Sequence, residues 1–480
     1  MPHRKFTKDI GIVSLANLAI ALKTLIFLPI ITKVLGAGNY GIWIQIIAAI
    51  SLATPLVTMG LPYTLVRFLA AEKDKKEIQD GIYSVAAIVL TSALIVSAIL
   101  LFFSSPISNF LGGEKILIQM LAFIIIFECL NEILFNIFRA FQQNQEYSFF
   151  ISFQNFGEIA LVIIMISLGY GLIGAVFALL AVRLISFLIM AIKIIKKIGI
   201  KIPEFLRIKE YLHFSLPSLP ANISSWTVQS SDKYLIGIFL GANFVGYYAP
   251  AYAIGNSITF FIAPLIFILP AVLSKLYDEN KIEEAKNYLK YSLKYFLMIA
   301  VPSVFGLAAL SKQILTIFST TEIAQKSYYI VPMVAFAILL LGIYSIVAQT
   351  IVLKKKTRTI GIIWVIAAFL NIGLNIILVP IFGIVAAAIT TIAGYAFALM
   401  AAVYYSLSNF RFEIDWKFII KSVFASILMY IFVLSLNPAD LSKTIMTVVG
   451  GAIFYGIIMF FLKGIDEKEI KFLKGFFKRA

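Results

Sequence analysis

The chain has 480 residues, 61% of them hydrophobic and only 13% charged, with a formal net charge of +16 and one cysteine. That composition is far too apolar for a soluble globule of this length. The lone Cys129 rules out an intrachain disulfide, a thiolate metal site and a redox pair.

A helix needs about 20 apolar residues to cross the hydrocarbon core, whereas barrel strands would be shorter and alternating. The apolar runs therefore predict an all-α polytopic membrane protein with fourteen spans, drawn at 9–35, 40–61, 82–104, 116–139, 147–168, 171–195, 217–240, 244–275, 288–311, 327–351, 359–379, 383–407, 417–436 and 444–463. The first run follows Arg4, Lys5 and Lys8 and extends to Leu35 through Lys23 without a small-residue cleavage site, so it reads as a retained span. Between the sixth and seventh runs, Pro203 is predicted to start a surface-lying helix with Phe205, Ile208 and Leu212 on one face.

Of the 40 basic residues, 32 fall in the amino end, the even-numbered connections and the carboxyl end. With residues toward the span ends counted in the adjoining connection, three lie deep inside spans, and five (Lys33, Lys115, Lys312, Lys326, Lys443) lie on the other side. Short loops rich in Lys and Arg stay cytoplasmic, so the expected location is the cell membrane with both termini in the cytoplasm. Charge scattered over loops in this way attracts anionic lipid and argues against nucleic acid as a partner.

Two short motifs recur in order. Leu35-Gly36-Ala37 with Gly41 and Trp43 returns 205 residues later as Leu240-Gly241-Ala242 with Gly246 and Tyr248. Gly171-Leu172-Ile173-Gly174-Ala175 matches Gly383-Ile384-Val385-Ala386-Ala387 at an offset of 212. Small residues suit any helical hairpin, but two matches at nearly one offset favour duplication. The expected organisation is an N-lobe at 1–195 (spans 1–6), a cytoplasmic interfacial linker helix at 196–216, a C-lobe at 217–408 (spans 7–12), and spans 13–14 with a basic tail at 409–480. Repeats separated by six spans start on the same side and relate by an axis along the membrane normal.

Ser231-Asp232-Lys233-Tyr234-Leu235-Ile236-Gly237, running through Leu240-Gly241 to Val245-Gly246-Tyr247-Tyr248-Ala249, resembles the seventh-to-eighth span signature of polysaccharide biosynthesis proteins, the O-antigen flippase family. Leu35-Gly36-Ala37-Gly38-Asn39-Tyr40-Gly41 resembles that family's opening turn, and Pro380-Ile381-Phe382-Gly383-Ile384-Val385-Ala386-Ala387 its eleventh-to-twelfth turn. The resemblance covers nearly the whole chain and places it in the multidrug/oligosaccharidyl-lipid/polysaccharide exporter superfamily. It implies two pseudo-symmetric six-helix lobes around a central cavity, with two added helices at the carboxyl end.

Seven ionisable residues fall inside spans: Lys23, Glu128, Glu132, Glu158, Arg183, Asp232 and Lys233. Such groups are costly against lipid and face a cavity or a partner. Counted from the nearer outer turn, Lys23, Glu128 and Arg183 lie about 12 residues in, Glu158 about 10, and Asp232 and Lys233 about 8 or 9, roughly 12–18 Å deep at 1.5 Å per residue, with Glu132 one turn deeper. Glu158 and Arg183 are nearly equidistant from the turn at Tyr170-Gly171, which predicts a structural ion pair between spans five and six. Glu128, Glu132, Asn136 and Arg139 form one stripe that either lines the cavity or bonds a neighbouring helix. Glu128, Glu132 and Asp232 are candidates for binding a coupling ion.

On span seven, Asn222, Gln229, Asp232 and Lys233 accompany Ser225 and Trp226, and span eight carries Tyr248, Tyr252 and Asn256 at helical spacing. These predict one wall of a hydrated site. Lys23 and Lys233, facing each other across the pseudo-symmetry axis, would supply the cations that a lipid diphosphate needs. The alternative for Lys233 is a nearby carboxylate or snorkelling to the interface. The tyrosines would stack on sugar faces, although Tyr and Trp also gather at membrane interfaces.

No phosphate loop of the form GxxxxGK[ST] occurs, His3 and His213 lie outside the spans, and no His or Cys cluster could hold a metal. The residues and the resemblance imply a flippase, using no cofactor, that moves polyprenyl-diphosphate-linked oligosaccharide to the outer leaflet by alternating access. Membrane lipids and other polysaccharide-assembly proteins are the expected partners. Three alternatives stand beside it: an ion-coupled multidrug exporter of the same fold, a scaffold in a polysaccharide-assembly complex, and a membrane glycosyltransferase, ligase or polymerase. The enzyme is disfavoured, because the longest outer connection, about Leu310 to Lys326, is too short for a catalytic fold.

Overall fold

The computed structural model describes residues 26–464 apart from 70, 71 and 73, together with the helical backbone of residues 2–25. Every regular element among them is a helix, and the chain divides into two compact units, Met1–Gly246 and Tyr247–Ala480. Twelve helical stretches among the described residues are long and apolar enough to cross a membrane. Two of the fourteen expected spans stand outside that set. The expected span 9–35 is described with its side chains only from Ile26 onward, and the helix at Leu219–Leu240 is too polar to qualify.

The first unit contains α1 (Pro2–Thr58), α2 (Leu61–Leu69), α3 (Lys75–Phe102), α4 (Ser104–Leu111), α5 (Lys115–Ala140), α6 (Asn144–Ser167), α7 (Gly171–Ile198), α8 (Ile208–Ser215) and α9 (Leu219–Leu240). The expected first and second spans run on as α1, broken at Gly36, where φ is 75° and ψ is 174°. Gly241, its match in the repeat, has φ 92° and ψ 168°. Both turns lie where only glycine is unstrained, so the repeated Leu-Gly pair encodes one backbone geometry twice. The two turns also interlock. A methyl at Gly41 would strike the Ala242 carbonyl, and one at Gly246 would strike the Ala37 carbonyl.

That contact begins a seam along which α9 is fixed to α1. Gly237 leaves room for the Gln45 amide, the Tyr234 hydroxyl donates to the Gln45 carbonyl at 3.0 Å, and Trp226 Nε1 donates to Ser51 Oγ at 2.8 Å. Tyr234 and Trp226 of α9 therefore find partners on a neighbouring helix, which is how such residues persist in apolar surroundings.

The segment after α7 departs from expectation, since its helix begins at Ile208 rather than at Pro203. Buried Asp80 of α3 accepts the backbone N–H groups of Glu204 at 2.5 Å and Leu206 at 3.1 Å, and Ser84 Oγ accepts that of Phe205 at 3.2 Å. These bonds hold the chain in a turn, with Phe205 at φ 57°, and a helix cannot start until they end. Gln79 and Tyr83 complete the clamp by donating to the carbonyls of Ile198 and Gly199 at 2.6 and 2.7 Å. Beyond it, buried Tyr211 of α8 packs on Phe68 of α2, ring centroids 5.0 Å apart.

The second unit contains α10 (Ala242–Gly255) from Tyr247 onward, α11 (Thr259–Asp278), α12 (Ile282–Phe318), α13 (Thr321–Ser327), α14 (Ile330–Val347), α15 (Gln349–Leu353), α16 (Thr357–Phe382), α17 (Ile384–Asn409), α18 (Trp416–Leu436) and α19 (Leu441–Phe461). Helix α14 is its core element, nearly all apolar, packed on α17 and α12. Two glycines permit the close approaches: Gly342 lies under the Phe296 ring, and a Cβ at Gly255 would sit 2.7 Å from the Val331 carbonyl oxygen. Helices α18 and α19 pack on each other and on α12. The basic tail expected after the last span lies outside the described residues.

The clamp at Asp80 yields a stability prediction. Asp80→Asn turns one acceptor oxygen into a donor facing a backbone N–H, and a buried unsatisfied group costs about 1–3 kcal/mol. Thermal unfolding of the purified protein in detergent is expected to show a lowered midpoint, with a smaller loss for Ser84→Ala. An unchanged midpoint for Asp80→Asn contradicts the clamp.

Candidate functional site

A recess of about 520 Å³ opens within the first unit, walled by the second half of α1, the start of α2, α5, α7 and the start of α9. Small and hydroxyl residues of α1, among them Ser51, Thr54 and Thr58, leave the space. Glu128 and Glu132 reach it from α5, Arg183 from α7 and Asn222 from α9.

Arg183 is the centre of this group. Its Nε is paired with Glu128, its Nη2 stands 3.4 Å from Glu158 Oε2, and its Nη1 donates to Gln154 Oε1 at 3.0 Å. Asn131 donates to the Arg183 carbonyl at 2.9 Å and ties α5 to α7 at the same level. The two carboxylates differ in setting: the Glu158 side chain is 1% exposed, that of Glu128 is 27% exposed, and that of Arg183 is 14% exposed. Two acids share one base, and Glu132 stands on the next turn of α5.

The α5 stripe is one hydrogen-bonded ladder. Arg139 Nη1 donates to Asn136 Oδ1 at 3.1 Å, and Asn136 Nδ2 donates to Glu132 Oε1 at 2.9 Å. A polar track thus runs along α5 from Arg139 to Glu132, one turn from Glu128 at the recess.

The remaining expected residues are distributed otherwise. Asp232 is buried, and Lys233 Nζ lies 3.3 Å from its Oδ1 and donates to the Gln229 carbonyl at 2.8 Å. Gln229 Nε2 donates to Ser225 Oγ at 2.8 Å. Tyr248 and Tyr252 belong to the second unit, are both buried, and have ring centroids 5.7 Å apart, so neither presents an open face in this structure. Asn256 is half-buried in the single 3-10 turn after α10. The Lys23 side chain lies outside the described residues.

Two features were missed by sequence reasoning. Glu128 is a partner of Arg183, a fact foreshadowed by their equal depth of about 12 residues from the outer turns. The second unit also holds an apolar groove of about 550 Å³ between α12, α18 and α19, lined by Met298, Pro302, Met429, Val433 and Tyr455. Gly306 helps to shape it, since a Cβ there would meet only the Met429 methyl at 3.9 Å.

This helical bundle, with its paired glycine turns, has the multidrug-exporter fold. The fold matches that of the lipid II flippase MurJ in an inward closed conformation, with TM-score 0.77 and 19% identity over 95% of this chain and 99% of that one. It also matches an inward-facing multidrug resistance MATE family transporter of the MOP superfamily, with TM-score 0.66 and 16% identity over 82% and 94%. The probable low-salt glycan biosynthesis flippase Agl15 of Haloferax volcanii is 23% identical over 405 residues, 82% of this chain and 83% of Agl15. The probable flippase AglR of the same organism is 25% identical over 195 residues, 38% of each chain. The polysaccharide biosynthesis protein family matches residues 6–276, more than half of the chain, and the lipid II flippase MurJ family matches residues 241–460. The chain belongs to the polysaccharide biosynthesis protein family.

The Arg183 cluster yields a second prediction. Arg183→Gln leaves the buried Glu158 carboxylate without its base, which costs about 3–5 kcal/mol, whereas Glu158→Gln leaves the arginine its Glu128 partner and costs less. The double variant removes both charges and is expected to regain much of the thermal stability lost by Arg183→Gln. Additive losses contradict the coupling.

Proposed function

We propose that this protein is a flippase that carries a polyprenyl-diphosphate-linked oligosaccharide from the inner to the outer leaflet by alternating access, and that it catalyses no chemical step. The observation that carries the reading is a charged recess inside a bundle that is otherwise apolar, in a chain whose curated relatives are described as flippases. A sugar diphosphate cannot cross hydrocarbon without replacing its water, so a carrier must offer it charge and hydrogen bonds along the way. Asn222, Gln229 and Lys233 join Lys23 as proposed contacts for the head group. Tyr248, Tyr252 and Asn256 would meet the sugars once their helix turns.

Direction must come from a difference between the two end states, supplied by an ion gradient, the membrane potential or consumption of product outside. Glu128, Glu132 and Asp232 are the proposed carriers of a coupling ion. A second reading, an exporter of organic cations, draws support from the same Glu128 and Glu132 in the recess.

Reconstitution separates the two. Proteoliposomes containing fluorescent polyprenyl-diphosphate oligosaccharide are expected to show protein-dependent exposure of the label to an outer quencher. Lys233→Gln is expected to abolish that exposure and Lys233→Arg to retain part of it, since charge persists while geometry changes. Accumulation of a cationic dye with no movement of the lipid overturns the flippase reading.

Orientation is tested independently. In a Cys129→Ala background, cysteines replacing the exposed residues Asn109, Asn243 and Asn437 are expected to react with an impermeant thiol reagent added outside intact cells. Cysteines at Lys76 and Lys355, also exposed, are expected to react only after permeabilisation. Inverted labelling contradicts the proposed placement of both termini in the cytoplasm.

A further inference from the structure

Arg183 has the attributes of an anion site that is already occupied. It faces the recess with 14% of its side chain exposed, and its planar guanidinium matches a carboxylate or a phosphate equally well. Its two carboxylate partners are not equivalent. Glu158 stands behind it, 1% exposed, and serves as the fixed counter-charge that keeps the arginine in place. Glu128 lines the recess itself, is 27% exposed, and can turn toward that space without entering lipid or a dry core.

We propose that Arg183 is an anchor for the diphosphate of the transported lipid, and that Glu128 is a built-in competitor that occupies the anchor until the head group displaces it. The inference rests on the flippase reading and gives that function a residue outside the lysines already named. The exchange is chemically balanced, since one anion leaves the guanidinium as another arrives and Gln154 continues to hold Nη1. It also accounts for the acid at this place. Without Glu128 the Nε edge of the guanidinium would have no acceptor and would attract any anion, whereas a tethered carboxylate satisfies it and sets a threshold that only a strongly charged ligand overcomes. A diphosphate, with more charge than one carboxylate and bidentate geometry, meets that threshold. The phosphate of a bulk anionic lipid, with a single charge, does not.

The test measures binding to the full chain in nanodiscs, with polyprenyl diphosphate and soluble inorganic pyrophosphate as separate probes. Glu128→Gln keeps a neutral acceptor for Arg183, removes the competing charge, and is expected to tighten binding by roughly tenfold or more, the size of one charge-assisted bond. The double variant Arg183→Gln with Glu158→Gln removes the anchor without stranding a buried charge, and is expected to weaken binding by at least as much. Tightening with both probes assigns recognition to the diphosphate, and tightening with the lipid alone assigns it to the diphosphate presented from the membrane; either result supports the exchange. Wild-type binding that neither variant alters overturns the exchange and leaves the flippase reading standing. Absence of any diphosphate binding by the wild type overturns both. Equal tightening by Glu128→Gln toward phosphatidylglycerol overturns the selectivity of the anchor.

Discussion

The constraint on which the first unit depends is the cost of holding Arg183 inside an apolar bundle. A guanidinium there must be met by charge and hydrogen bonds, and the unit brings three helices together to do so. Helix α5 gives Glu128 and the Asn131 amide, α6 gives Glu158 and Gln154, and α7 carries the arginine. Removing apolar residues from this level would loosen packing, but removing the arginine would strand both acids. The same constraint governs α9, a helix too polar to stand alone in lipid: its Tyr234 and Trp226 are matched to Gln45 and Ser51 of α1, and its Lys233 is matched to Asp232 and the Gln229 carbonyl within the helix. Charge and polarity in this unit thus fix which helices are neighbours, and the recess is what remains between them.

Under the proposed exchange, that arrangement joins stability to transport. Glu158 is buried against Arg183, while Glu128 and Glu132 on the adjoining helix open to the recess. The proposed carrier has a part that holds its shape and a part that changes partners, both acting on one guanidinium. The second unit shows the complementary chemistry: its groove beside α12 is lined almost entirely by apolar side chains, with Gly306, Gly451 and Gly456 among them.

Much of the architecture was legible because hydropathy and glycine carry it. Long apolar runs fall on helices, and Leu35-Gly36 and Leu240-Gly241 signal turns whose backbone angles require glycine. What one dimension hides is azimuth. Depth along a helix placed Glu128 level with Arg183, but only packing of α5 against α7 turns the two toward each other. Periodicity likewise puts Tyr248 and Tyr252 on one face without saying that the face is buried. The start of α8 was misjudged for a related reason, since Asp80, which delays it, is 124 residues away from Glu204. A cap that distant leaves no local mark on the sequence.

The central claim is that the charged recess of the first unit meets the head group of the lipid, and site-specific cross-linking addresses it most directly. A polyprenyl-diphosphate oligosaccharide carrying a photoreactive group on its first sugar is to be bound to the full chain in nanodiscs, irradiated and mapped by peptide mass spectrometry. The account predicts labels on α1, α5 and α7 at residues around the recess, such as Ser51, Glu132 and Leu179. Labels confined to the exposed faces of α18 and α19 would contradict it.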